Sequence, residues 1–283
     1  MNAPTISNET APPVAQLCAV TKSFTMAGGH ELKVLDNIDL AVNPGEFLAL
    51  LGQSGSGKST ILRCLTGLIQ PSSGRAMCNG KSLSGILADA SVVFQTFALF
   101  PWLTVEQNVA VGLMSRHMDR AERDAAVERA IELIGLGNYH TAFPRELSGG
   151  MRQRAMLAIA LCGQPRLLIA DEPTSALDAS LSRNTMDLLL ELTEDAGASL
   201  LIISHDILLC QDYADTTMVM RHGDIVETGS SSTLASSAVH PYTIGLLRCV
   251  PTLDSAGFDE LPTFDTLDPL VGAVGEGERG DRT

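Results

Sequence analysis

Aromatic residues are scarce in this chain. Only 4% of its 283 residues are Phe, Trp or Tyr, and there is a single Trp. Basic residues are few as well: 19 Lys and Arg stand against 33 Asp and Glu, a formal net charge of −14. That balance argues against wrapping a nucleic-acid backbone, which needs Lys and Arg to displace counterions, so no nucleic-acid partner is expected. It leaves room for a small phosphate ligand, because one loop of backbone N–H groups holds an anion locally. Long apolar runs are missing. Phe47–Leu51 and Leu200–Ile203 are among the longest, far short of the ~20 residues that a membrane-spanning helix needs. The opening MNAPTISNETAPP has no basic n-region and no apolar core, so no secretory signal is expected. The six cysteines (18, 64, 78, 162, 210, 249) form no CxxC pair, which reads as reduced thiols rather than a disulfide framework or zinc site. No internal repeat or long heptad run is visible.

What is present suffices for a sizeable core: 45% of residues are hydrophobic and 18% charged. Residues 1–13, with three prolines, read as a loose arm. Strand candidates follow at Val14–Val20, Leu32–Val42 and Phe47–Leu51, then a Gly/Ser-rich loop and a helix pattern over Lys58–Ile69. Asp119 and Glu122 predict a capping box for a helix running to about Gly135, and Ser148 the N-cap of another ending near Gly163. Leu167–Ala170 and Leu200–Ser204 read as buried strands with a helix over Asp178–Glu194 between them, and His222-Gly223-Asp224 as a hairpin turn. Strands alternating with helices imply an α/β layer fold with a largely parallel sheet, and the β-rich start suggests an antiparallel portion beside it. The final 30 residues carry eight acids and two arginines and read as an acidic extension.

Gly52-Gln53-Ser54-Gly55-Ser56-Gly57-Lys58-Ser59-Thr60 matches G-x4-G-K-[ST] between an apolar strand and a helix. Its glycines let successive N–H groups face phosphate oxygens, and the helix start adds favourable potential for an anion. Lys58 is expected at the β- and γ-phosphates of ATP and Ser59 on Mg²⁺. Leu167-Leu168-Ile169-Ala170-Asp171-Glu172 is an apolar strand ending in two acids. Alone, such acids are more often solvated caps; beside a phosphate loop, Asp171 is expected to hold Mg²⁺ and Glu172 to polarise the attacking water.

Leu147-Ser148-Gly149-Gly150-Met151-Arg152-Gln153-Arg154, taken alone, is only a capped helix start. Lying upstream of Asp171-Glu172, it resembles the LSGG signature of the ATPase subunits of ATP-binding cassette (ABC) transporters, and the resemblance covers about residues 14–250. It implies a P-loop NTPase core with an antiparallel β subdomain and a helical insertion around 100–160, followed by an extension over 251–283. It further implies that Gln95 touches Mg²⁺ and the attacking water, that His205 contacts the γ-phosphate and orders Glu172, and that Phe24 stacks on adenine. Ser175-Ala176-Leu177-Asp178 resembles the loop through which two cassettes meet. Each ATP is then expected between Gly52–Thr60 of one chain and Ser148–Gly150 of another. Met151 stands where the family most commonly has glutamine; the backbone and Ser148 hydroxyl contacts are expected to survive.

The resemblance implies an ATPase subunit on the cytoplasmic face of the inner membrane, partnered by permease subunits and indirectly by a solute-binding protein. Val93–Leu113 resembles importers of nitrate, sulfonates and taurine, whereas His240–Asp254 resembles those of dipeptides, oligopeptides and nickel. An exporter subunit shares all the ATP motifs, and a soluble ABC ATPase of translation or DNA repair is the alternative from another class. Phe97, Leu99, Phe100 and Trp102 concentrate aromatic and apolar surface in an aromatic-poor chain. Two readings stand there, core packing and a surface gripping a membrane subunit's coupling helix.

Overall fold

The computed structural model describes residues 11–94, 99–114, 116–174 and 179–249. Expectations for residues 1–10, Gln95, Phe97, the Ser175–Asp178 loop and the extension over 251–283 lie outside the described residues.

The chain opens with β1 (Ala15–Thr25), β2 (Glu31–Val42) and β3 (Phe47–Leu51), then α1 (Lys58–Leu65), β4 (Ser73–Cys78), β5 (Lys81–Ser82) and β6 (Ala90–Phe94). Three helices follow: α2 (Val105–Val111), α3 (Arg120–Leu133) and α4 (Gly149–Leu161). The remainder is β7 (Leu167–Asp171), α5 (Ala179–Asp195), β8 (Ser199–Ser204), α6 (Ile207–Tyr213), β9 (Thr216–Arg221), β10 (Asp224–Ser230), α7 (Ser231–Ser237) and α8 (Pro241–Arg248).

Two sheets form. The smaller, in order β2-β1-β4-β5, is antiparallel. The larger runs β10-β9-β3-β8-β7-β6; β9, β3, β8, β7 and β6 are parallel and β10 returns antiparallel. Its central strands are continuous apolar runs because both faces are covered, as parallel sheets require. Alternate residues divide between two cores. Leu48, Leu50, Leu201 and Ile203 face the antiparallel sheet and α1. Phe47, Ala49, Leu51, Leu200 and Ile202 share the other core with α2, α3, α4 and α5.

Helix starts follow the sequence signals. Thr104 and Asp119 make full capping boxes, and Ser148 Oγ accepts the Met151 N–H at 3.3 Å. Departures have local causes. The first helix stops at Leu65, short of the expected Ile69, because Gly67 turns to φ +73; a Cβ there would collide with the Gly85 carbonyl. The first strand runs on to Thr25, past Val20. It accommodates Ala19 at φ 49, whose N–H is taken by Asp39 Oδ1 at 2.9 Å. The β9–β10 hairpin turns through His222 and Gly223, both at positive φ, which matches the twist of the strands. All six cysteines are free thiols, and burial pushes Cys162 up to about 11. No helix of the described residues is long and apolar enough to cross a membrane.

Candidate active site

Strands β3, β7 and β8 end at the same edge of the large sheet, and the chemistry gathers where they end. β3 delivers the loop Gly52–Gly57 and then α1. Gly52 has no room for a side chain: a Cβ would lie 2.5 Å from the Met220 carbonyl oxygen on β9. Gly57 is the N-cap of α1 at φ 112, with no side-chain cap. The first N–H groups of α1 have no intrahelical acceptor, so they and the helix potential face outward as an anion site.

Lys58 is buried at the base of this loop. Its Nζ donates to the Gly52 carbonyl at 2.6 Å and the Gln53 carbonyl at 2.9 Å. An ammonium has three donors, so one stays available for a ligand oxygen. Burial pushes the Lys58 ammonium below its ordinary range, while the carboxylates of Glu172 and Asp171 pull the other way.

Asp171 closes β7, in register with Ile203 on β8. Burial, and then the Glu172 charge, raise its carboxyl above the usual range; Lys58 and Arg63 oppose them. A cation would offset both causes. With the exposed Ser59 hydroxyl, Asp171 supplies the hard oxygen donors that Mg²⁺ prefers, so these residues fit the ion. Glu172 follows at φ 52, a left-handed conformation costing a non-glycine residue about 1–3 kcal/mol. Its N–H is tied to the Ile203 carbonyl at 2.9 Å. From the end of the adjacent strand β8, His205 Nδ1 meets Glu172 Oε2 at 2.6 Å.

Gln53, Ser54, Gly55, Gly57, Lys58, Ser59, Thr60, Asp171, Glu172 and His205 line one cavity of about 720 Å³. Val34, on β2, lines it too; nothing in its local sequence marks it, since the antiparallel sheet brings it there from a distance. Gly52 and Ser56 shape the loop without lining the cavity, and the Ser56 hydroxyl is buried with no hydrogen-bond partner among the described residues. Phe24 stands at the end of β1, 37% exposed and outside the lining, with Lys22 Nζ 5.1 Å from its ring centroid. A tyrosine reaches the loop from behind: Tyr242 Oη on α8 accepts the Gln53 N–H at 3.3 Å.

Ser148, Gly149 and Gly150 do not line this cavity. Ser148 and Gly149 are exposed, and a Cβ on either glycine would meet nothing within 4 Å. The aromatic segment divides. Leu99 packs against the helical core, whereas Phe100 and Trp102 are 39% and 69% exposed, their rings 5.5 Å apart. Asn108 holds this turn by donating to the Phe100, Leu103 and Thr104 carbonyls and accepting the Phe100 N–H at 2.7 Å.

A family model described as ABC transporter matches residues 35–175. The bicarbonate transport ATP-binding protein CmpC of Synechococcus elongatus is 40% identical over 190 residues, 66% of this chain but only 29% of that protein. The sulfate/thiosulfate import ATP-binding protein CysA of the same organism is 36% identical over 260 residues, covering 90% of this chain and 74% of that one. Among solved structures, the ATP-binding cassette MJ0796, dimeric in a post-hydrolysis state with ADP and Pi, superposes with a TM-score of 0.64. It is 29% identical, with 77% of this chain and 98% of that one covered. The phosphate loop, the paired acids and the LSGG helix start thus stand in a chain that matches whole cassettes, and the protein belongs to the ATP-binding family of ABC transporters.

Proposed function

We propose that this chain binds and hydrolyses ATP and that the hydrolysis powers import through membrane-embedded permease subunits. The observation that carries the reading is the single cavity where the Gly52–Thr60 loop, Asp171, Glu172 and His205 converge, with the Glu172–His205 contact at 2.6 Å. Backbone N–H groups of the loop and the free donor of Lys58 hold the β- and γ-phosphates. Ser59 and Asp171 hold Mg²⁺, with Gln95 as a further ligand; the ion, when bound, neutralises phosphate charge. Glu172 polarises the attacking water and accepts its proton. His205 orders the Glu172 carboxylate and contacts the γ-phosphate. Phe24 supplies a face for adenine.

Ser148, Gly149 and Gly150 have no nucleotide of their own to touch. They close over the ATP of a second cassette, identical or related, and Ser175–Asp178 joins the two. Phe100 and Trp102 dock the permease, and a solute-binding protein acts through it. The chain then works peripherally at the cytoplasmic face of the inner membrane. A relative named for sulfate/thiosulfate import supports import over export.

Glu172→Gln tests the assignment. Turnover should fall about 10²- to 10⁴-fold, the size of a general base's contribution, while Mg-ATP binding persists. With ATP, the variant should elute as a dimer. Hydrolysis at the wild-type rate removes Glu172 as the base.

A further inference from the structure

Tyr242 lines no part of the cavity, yet it is built in tightly behind the phosphate loop. It is 1% exposed and packs with Val219 and Leu234. His240 caps α8 by accepting the Tyr242 N–H at 3.2 Å, and Glu227 Oε1 on β10 accepts the Val239 N–H at 2.7 Å. The Arg221 guanidinium lies 5.1 Å from the ring centroid. These contacts aim the hydroxyl at the Gln53 N–H.

That N–H shares one planar peptide unit with the Gly52 carbonyl. The carbonyl of the same unit accepts from Lys58 Nζ at 2.6 Å. Turning the plane to release the N–H turns the carbonyl away from the ammonium. We propose that Tyr242 is a positioning residue for Lys58, fixing the Gly52–Gln53 peptide and thereby the direction in which the free Lys58 donor enters the nucleotide cavity. The proposal rests on the phosphate-loop reading above. It makes α8, which that reading leaves idle, part of the ATP-binding machinery.

Tyr242→Phe removes the hydroxyl and keeps the ring over Arg221. A fluorescent Mg-ATP analogue is titrated into the full chain as wild type, Tyr242→Phe, Lys58→Ala and the double variant. Tyr242→Phe should weaken binding about three- to tenfold, the range of one neutral hydrogen bond, and should cost nothing further once Lys58 is alanine. The KM for ATP should rise in parallel. A merely structural role would lower the folded fraction, and with it kcat, at unchanged KM, so the KM readout holds even if the melting temperature falls. Wild-type affinity and KM in Tyr242→Phe overturn the proposal, as does an equal loss in both backgrounds. Wild-type binding by Lys58→Ala overturns the phosphate-loop reading itself, an outcome the single Tyr242 variant cannot mimic.

Discussion

Two helices of this protein start at glycine-bearing loops, and their starts differ. The first, α1, begins behind Gly57 with no side-chain cap, a buried lysine in its first turn and two acids across the cavity. The other, α4, is capped by its own Ser148 and opens onto solvent through Ser148 and Gly149. Neither has an acid in its first turn, a feature they share with α5, α6, α7 and α8, whereas α2 and α3 place Glu106 and Glu122 there. A first-turn carboxylate satisfies the helix dipole internally; leaving it out keeps the positive end open to an external anion. The comparison teaches that the α1 start opens into a cavity lined by residues of its own chain, whereas the α4 start opens onto solvent; the proposed function fills that open side with the nucleotide of a second cassette.

The strongest way to break that comparison is to place an acid at the second start. A side chain at Gly149 meets nothing, so Gly149→Asp fits. It should leave the isolated chain as stable as before or up to ~1 kcal/mol more so, through the helix dipole. Against a partner's ATP the same carboxylate repels phosphate; like charges ~4 Å apart at an effective dielectric of 20 cost about 4 kcal/mol, so turnover should fall about 10²- to 10³-fold. Normal turnover would show that α4 faces no nucleotide.

A smaller effect sharpens the outward role of the helical segment. Trp102→Ala removes an exposed aromatic anchor and should cost about 2 kcal/mol or more of permease binding, read by co-purification. Its melting temperature should stay near wild type, since the ring is 69% exposed. A large drop in melting temperature, or full retention of the permease, would return Trp102 to the core.

The smallest expected change concerns the completed end. Asp171 has a raised pKa in the folded protein, from burial and then Glu172. A folded-state value above the unfolded one favours folding only while the group is protonated; that contribution fades as pH rises through the shifted value. At neutral pH the charged form therefore opposes folding. Asp171→Asn should raise the nucleotide-free melting temperature by a few degrees and lose Mg²⁺-dependent nucleotide affinity. An unchanged or lower melting temperature in calorimetry would place the raised pKa in doubt.

Residues whose placement is written in local spacing were legible from the sequence. The Gly52–Thr60 loop, the strand-end acids and the Ser148 cap each depend on neighbours within a few positions, and each falls where the pattern puts it. The two-sheet arrangement was legible in outline, from the alternation of apolar strands with helices. Val34 and Tyr242 were not legible as site residues. Both arrive by long-range packing, one across the antiparallel sheet and the other from a helix about 190 positions downstream of the loop it touches. The HPYT segment carried a family likeness but no local sign that its tyrosine turns back on Gln53. The two readings of the aromatic segment were equally illegible, because only the fold tells that Leu99 turns inward and Trp102 outward.

Glu172 and His205 follow the ends of adjacent hydrogen-bonded strands, β7 and β8, and the Glu172 N–H is clamped to Ile203. Their separation is therefore gauged by the interstrand spacing of a sheet, ~4.8 Å, rather than by loops that breathe. The two backbones thus act as a fixed ruler, while the His205 side chain, 63% exposed, is not locked by packing. Under the proposed function, control over when water is attacked then lies with that side chain and with what is brought up to the ruler, the nucleotide and a second cassette that covers it.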